Sequence, residues 1–259
     1  MTSTDDLALV LKKLRLSGVL LTLPLRLRQA VDEDLDQQEF LYRLLNDEAE
    51  RRDGKQLDLR LARACFEHAK TLEDFDFHFN PGVPRAKVID LATCSFVDRH
   101  EVVLLLGATG VGKSHLAQAL GHRAVRRGHT VLYTGAGPMF AQLRAARGDG
   151  SFDRRMLKYT GPDLLIVDDL GLMPLRGDEP ADLYELIRHR YERGAMILTS
   201  NRALPEWPAL FGDPLLASAA MDRLLHHAHV LEIEGDTYRN PPPGSGRSIN
   251  PGGNFHRHR

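Results

Sequence analysis

Gly107-Ala108-Thr109-Gly110-Val111-Gly112-Lys113-Ser114 follows the apolar run Val102-Val103-Leu104-Leu105-Leu106 and opens into His115-Leu116-Ala117-Gln118-Ala119-Leu120. Together these read as a buried strand, a tight glycine loop and the first turns of a helix, the context a phosphate-binding loop needs. The glycines let the backbone curl so that successive N–H groups point at phosphate oxygens. A helix N-terminus adds unpaired donors and partial positive charge. Lys113 can reach the β- and γ-phosphates, and the Ser114 hydroxyl can ligate Mg²⁺. His115 stands directly behind the loop, as a further candidate nucleotide contact. The plain alternative is a glycine turn that happens to precede a helix.

Working outward, short apolar runs alternate with amphipathic stretches. The runs are Val102–Leu106, Thr130–Thr134, Leu164–Val167, Ala195–Leu198 and Val230–Ile233. Strands spaced by helices predict an α/β fold with a five-stranded, mostly parallel sheet covered on both faces. Ligands in such sheets bind beyond the carboxyl ends of the strands. There, Leu164-Leu165-Ile166-Val167 ends in Asp168-Asp169. Beside a phosphate loop, Asp168 is placed to hold Mg²⁺ and Asp169 to orient or deprotonate an attacking water. An Asp pair before Gly171 is otherwise a turn. The next strand ends Thr199-Ser200-Asn201-Arg202, where the Asn201 amide could sense a γ-phosphate or simply cap a helix.

Further on, Met221-Asp222-Arg223-Leu224-Leu225 carries a conspicuous guanidinium. Arg223 could neutralise transition-state charge as a finger, or pair with a nearby acid. Arg239 has the same two readings. His226, His227 and His229 lack the i, i+4 spacing with which two imidazoles share an ion on one helix face. A helix C-terminus, which favours partly protonated His, accounts for them.

The segment before residue 70 reads as a small all-helical N-terminal domain. Leu7, Val10, Leu11 and Leu14 recur at helical spacing, Gly18 interrupts this pattern, Pro24 starts or bends the next segment, and Phe40, Leu41, Leu44 and Leu45 form another stripe. Leu57, Leu61, Ala64 and Cys65 suggest a last helix. Residues 71–100 then read as a linker with a lead-in helix, since Asn80-Pro81-Gly82-Val83-Pro84 breaks regular structure. Phe75 and Phe77 there are packing anchors, or lie beside a bound base. Residues 240–259, rich in Pro, Gly and Ser, have too little apolar surface to stay ordered.

With a net charge of −1, polyanion binding would have to come from local clustering. Candidate DNA contacts are Lys12, Lys13 and Arg15 near the N-terminus, and Arg144, Arg147, Arg154, Arg155 and Lys158 in the core. Only Asp149 and Asp153 stand against the second group locally. Each cluster reads equally as a solvated surface. Two cysteines, Cys65 and Cys94, make neither a disulfide framework nor a zinc site and suit a reducing compartment. The acidic, polar N-terminus argues against a signal peptide, and no apolar run approaches spanning length. A cytoplasmic protein is expected.

The chain resembles the IstB-like family of transposition helper ATPases, of the AAA+ class and close to the DnaC-type helicase loaders. The resemblance is carried by Thr71-Leu72-Glu73-Asp74-Phe75-Asp76-Phe77, the phosphate loop, and Asp168-Asp169-Leu170-Gly171-Leu172-Met173-Pro174-Leu175. Arg190-Tyr191-Glu192-Arg193-Gly194, Thr199-Ser200-Asn201 and Phe211-Gly212-Asp213-Pro214 add to it. The stretch Met221 to Val230, with Asp236-Thr237-Tyr238-Arg239, is the most family-specific. The resemblance implies an AAA+ ATPase domain over 101–239 that binds ATP and Mg²⁺ between adjacent subunits. It implies assembly on double-stranded DNA largely without sequence preference, in concert with a partner transposase. Arg223 is then a finger acting in trans, and Arg239 a second sensor on the same subunit's nucleotide. The acidic pair is Asp-Asp where many relatives have Asp-Glu, so Asp169 reaches less far and slow hydrolysis follows. The rival readings are a replicative helicase loader, a small-molecule P-loop kinase, and a nucleotide-gated DNA scaffold without turnover.

Overall fold

The computed structural model describes residues 4–235 and 237. The chain divides into two compact units, residues 1–62 and 63–259. The break falls before residue 70, and the stretch read as a linker belongs to the second unit.

The first unit consists of α1 (Thr4–Lys13), α2 (Ser17–Asp32) and most of α3 (Gln37–Ala64). Pro24, read as starting or bending a segment, lies inside α2 and does not start it, and the two stripes after residue 36, read as separate helices, belong to one 28-residue helix. Nor is Gly18 a break. It sits in the first turn of α2, where a Cβ would lie 2.6 Å from Glu48 Oε2, so its role is close approach between helices. Glu48 is buried, accepts hydrogen bonds from Arg51, Arg52 and the Gly18 N–H, and is held down to about 2, chiefly by Arg51. The unit's core is small: Leu11, Val19, Leu23 and Leu44, with Leu16, Leu20 and Phe40 packed against them. Of the first predicted stripe only Leu11 is buried; Leu7, Val10 and Leu14 are exposed.

The second unit opens with the short helices α4 (Arg85–Leu91) and α5 (Ser95–Asp98). Five strands follow: β1 (Val102–Gly107), β2 (Val131–Gly135), β3 (Leu164–Asp168), β4 (Ala195–Ser200) and β5 (Ala228–Ile233). They form one sheet in the order β2-β3-β4-β1-β5, every pair parallel. Between them run α6 (Lys113–Arg126), α7 (Ala136–Gly148), α8 (Phe152–Thr160) and α9 (Glu179–Arg190). A 3-10 turn (Leu204–Glu206), α10 (Pro208–Phe211) and α11 (Pro214–Leu225) join β4 to β5.

The strands alternate between two buried layers. Leu104, Leu106, Leu132, Leu165, Val167 and Leu198 enter one core with Met139, Phe140 and Leu143 of α7, Leu183, Leu186 and Ile187 of α9, and Trp207. The intervening positions face α6, as the approach of Ile166 to Gly121 shows. With both faces covered, each central strand is apolar throughout, which explains the continuous runs in the sequence. Parity puts Tyr133, Asp168 and Thr199 on the α6 side, because their neighbours Leu132, Val167 and Leu198 point the other way.

At the amino edge of the sheet, Arg190 is buried to 1% exposure. Its Nη1 donates to the carbonyls of Tyr159 and Pro162, and its Nη2 to those of Asp163 and Ala195. Burial lowers its pKa to about 10, which leaves it charged at neutral pH. Gly194 makes room, since a Cβ there would lie 2.6 Å from Nη2. Arg190→Met strands these carbonyls away from water and is expected to cost about 3–5 kcal/mol of stability. A denaturant midpoint unchanged from wild type would show that the clamp is dispensable.

Candidate functional site

The loop between β1 and α6 is shaped by backbone that few residues other than glycine adopt. Gly107 has φ +144° and Gly112 φ +101°. A Cβ on Gly107 would lie 2.1 Å from the Ile233 carbonyl, and one on Gly112 2.9 Å from the Phe75 ring. Both the conformation and the close approach therefore require glycine. Lys113 folds back over the loop and donates from Nζ to the carbonyls of Gly107 and Ala108, each at 2.8 Å.

A cavity of about 540 Å³ opens over this loop, lined by Thr109, Gly110, Val111, Gly112, Lys113, Ser114 and His115 on one side. Asp168, Asp169 and Leu172 close another side, and Lys70, Asp74, Phe75, Phe79 and Asn80 a third. Its volume is within the range of small-ligand sites. Phe75, read as an anchor or a base neighbour, lines the cavity while also packing edge-on against Phe77 and His115. His115 Nε2 meets the Thr71 carbonyl at 2.9 Å, and burial lowers the ring's pKa. It therefore favours the neutral form.

Asp168 ends β3 beneath the loop, and Ser114 Oγ donates to its Oδ1 at 3.0 Å. Thr199 Oγ1 donates to the same oxygen, and Tyr133 Oη donates to Oδ2 at 2.6 Å. Sequence reasoning missed both Tyr133 and Thr199. Asp169 is exposed at the cavity wall in a left-handed conformation, φ +55°, with its N–H donating to Thr199 Oγ1 at 2.9 Å. Ser114 and Asp168 present adjoining hard oxygens, a donor pair that fits Mg²⁺ held by few protein ligands together with phosphates. Among the described residues no group of three or more His, Cys, Asp and Glu could hold a metal by itself. Asn201 stands exposed just past β4, which lies between β3 and β1, but is not among the residues lining the cavity. Arg239 lies outside the described residues, as does the tail 240–259.

Arg223 is elsewhere. It sits in the last turn of α11, donates to the Ala219 carbonyl at 2.8 Å, and lies over the rings of Tyr184 and Tyr191. It lines a cavity of about 440 Å³ with Arg188, His189, Tyr191, Glu192 and Arg193. A smaller cleft joins it to Arg99, His100, Glu101 and Val102, which lead into β1. The phosphate loop leaves the far end of that strand, six residues on, roughly 20 Å away at about 3.3 Å per residue. The nearby histidines have partners: His226 Nδ1 meets Tyr191 Oη at 3.0 Å, and His229 Nε2 meets Glu101 at 2.7 Å.

The predicted basic clusters differ in how many of their charges are free. Arg144 pairs with Glu179, and Arg147 with Asp182 while stacking on Phe152. The acids on α9 were not counted among the local acids of the sequence, because the helix lies 35 residues downstream. Lys158 donates to Gln142, while Arg154 is exposed and Arg155 half-buried. In the first unit Lys12, Lys13 and Arg15 are exposed as well.

A parallel sheet in the order β2-β3-β4-β1-β5, with a glycine loop and Lys113 after β1 and Asp168 ending β3, defines the P-loop nucleotide-binding fold of the AAA+ class. The family described as IstB-like ATP binding protein matches residues 9–242, and the chain belongs to it. It is 39% identical over 234 residues to a protein of Pseudomonas aeruginosa named as an ATP-binding protein of insertion sequence IS21, covering 90% of this chain and 88% of that one. A Mycobacterium tuberculosis protein, named as ATP-binding in an insertion sequence, is 43% identical and covers 88% and 92%. Among solved structures, DnaI superposes with a TM-score of 0.56 at 23% identity, over 64% of this chain and 92% of that one, a likeness of fold. No helix among the described residues is long and apolar enough to cross a membrane.

Proposed function

We propose that this chain is an ATP-dependent, DNA-binding transposition helper that assembles on target DNA and regulates or recruits a partner transposase. The observation that carries the reading is the separation of Arg223 from the phosphate loop by the length of the sheet. A guanidinium there cannot reach its own subunit's nucleotide, but a neighbour stacked on the cavity could receive it. The insertion-sequence names of the relatives favour transposition over helicase loading.

In this reading the backbone N–H groups of residues 109–114 and Lys113 bind the triphosphate, and Ser114 and Asp168 hold Mg²⁺, which would supply charge neutralisation at the β- and γ-oxygens. Asp169 orients and deprotonates water from the cavity wall, Asn201 senses the γ-phosphate, and the neighbour's Arg223 completes the site. Arg239 acts as a second sensor on its own subunit's nucleotide. Exposed Arg154 and half-buried Arg155, with Lys12, Lys13 and Arg15, are the best candidates for phosphate contacts with duplex DNA. Arg144, Arg147 and Lys158 contribute less, since partners already hold them.

The test is binding to random-sequence duplex DNA with ATP, ADP or no nucleotide, with particle mass read in parallel. Large DNA-bound particles are expected with ATP alone, weakening steeply as salt rises. Binding that ignores the nucleotide would overturn the reading.

A further inference from the structure

The Asp168 carboxylate is held from three directions by three hydroxyls. Ser114 reaches it from the start of α6, Thr199 from β4 and Tyr133 from β2, the strands that flank β3 on either side. The division among its oxygens is uneven: Ser114 and Thr199 share Oδ1, and the Tyr133 phenol takes Oδ2 at 2.6 Å. Sheet register makes this possible. Gly135 pairs with Asp168 and Tyr133 with Ile166, so Tyr133 sits two residues back on the same face, and a side chain leaning along its strand spans the gap. At Gly135 itself no side chain competes for the carboxylate.

We propose that Tyr133 is a positioning residue for the metal of this site, fixing the rotation of the Asp168 carboxylate so that Oδ1 keeps the Ser114 hydroxyl oriented as a ligand for the cation. The inference rests on the nucleotide-binding reading above. A carboxylate free to turn can offer either oxygen, or both, to a divalent ion, and Mg²⁺ tolerates little departure from octahedral geometry. Holding Oδ2 limits that turning and fixes in place the Oδ1 that accepts the Ser114 proton. The Ser114 hydroxyl donates its proton to Oδ1, so its lone pairs stay available to the cation.

The ring of Tyr133 would be satisfied by Phe. It is 4% exposed and sits 6.3 Å from Phe66, a contact Phe would keep, while the hydroxyl alone reaches Asp168. Burial first, and then the hydrogen bond to Asp168, pushes the phenol's pKa upward, so it remains a donor at neutral pH. Groups that orient a metal ligand in this way set affinity for the metal more than the fold.

The test follows binding of a fluorescent ADP analogue, first in chelator and then with rising Mg²⁺, in wild type, Tyr133→Phe and Tyr133→His. Melting temperature is read alongside. For Tyr133→Phe, metal-free nucleotide affinity should stay at the wild-type value while half-saturating Mg²⁺ rises about 10-fold. Tyr133→His keeps a ring N–H and should recover part of that loss. Wild-type Mg²⁺ dependence in Tyr133→Phe overturns the proposal. So does a parallel fall in metal-free affinity and melting temperature with the Mg²⁺ dependence intact, the mark of packing alone. If wild type itself bound no nucleotide, or gained nothing from Mg²⁺, the nucleotide reading of the site would fall with it.

Discussion

Lys113→Ala is expected to weaken ATP binding about 100-fold and to abolish every ATP-dependent assembly. The ammonium makes two hydrogen bonds across the loop, to Gly107 and Ala108 carbonyls. Those oxygens lie where a triphosphate would compete for the same charge. A charge-assisted bond is worth about 1.5–3 kcal/mol, and about 1.4 kcal/mol is tenfold in affinity, so losing the lysine's contacts to two phosphates gives the stated effect. The fold should survive, because the loop borders a cavity where water can replace Nζ. Equilibrium titration with a fluorescent ATP analogue measures the first effect and light scattering with DNA the second. Unchanged assembly would remove the phosphate-loop argument altogether.

Arg223→Ala should produce the opposite pattern, with nucleotide binding by the monomer kept and turnover lost. The residue is at the wrong end of the sheet to touch its own subunit's nucleotide, so the affinity of an isolated chain has no reason to change. Arginine fingers are worth about 10³–10⁵ in kcat where they have been removed or supplied, and a thousandfold loss is the expected scale. Little stability goes with it. Arg223 is partly exposed, and stacking on Tyr184 and Tyr191 is worth about 1 kcal/mol at such sites. Steady-state ATPase assays with saturating DNA measure the turnover, and nucleotide titration of the same protein measures the affinity. A variant that lost affinity and turnover together would place Arg223 in its own subunit's site.

The sheet was legible because its strands are buried on both faces and leave continuous apolar runs, each beginning or ending within two residues of the observed strand. The first unit was harder to read. With a core of four buried side chains it leaves Leu7, Val10 and Leu14 exposed, and helical spacing cannot tell an apolar face that is buried from one that is not. Gly18 looked like a break because glycine serves equally for turns and for close helix contacts, and only the position of Glu48 distinguishes the two. Pro24 looked like a boundary because a proline's cost to a helix is local, whereas packing of Val19 and Leu23 carries α2 past it.

Within the site, residues contiguous in sequence were legible and those assembled across strands were not. Gly107 to Ser114 announce their chemistry by order alone. Tyr133 and Thr199 are ordinary strand residues until register and parity bring them to Asp168, and a polar side chain near the carboxyl end of an otherwise apolar strand was the available signal. Arg144 and Arg147 show the converse: they look free in sequence because the acids that hold them come from α9.

In the proposed assembly one subunit's Lys113, Asp168 and Asp169 work with another's Arg223. Mixing Arg223→Ala subunits with Asp169→Asn subunits tests it most directly, since each variant alone lacks one half of every site. Turnover should reappear on mixing, because interfaces then form that join an intact Asp169 to an intact Arg223. Mixtures as inactive as either variant alone, in particles shown to contain both, would contradict a shared site.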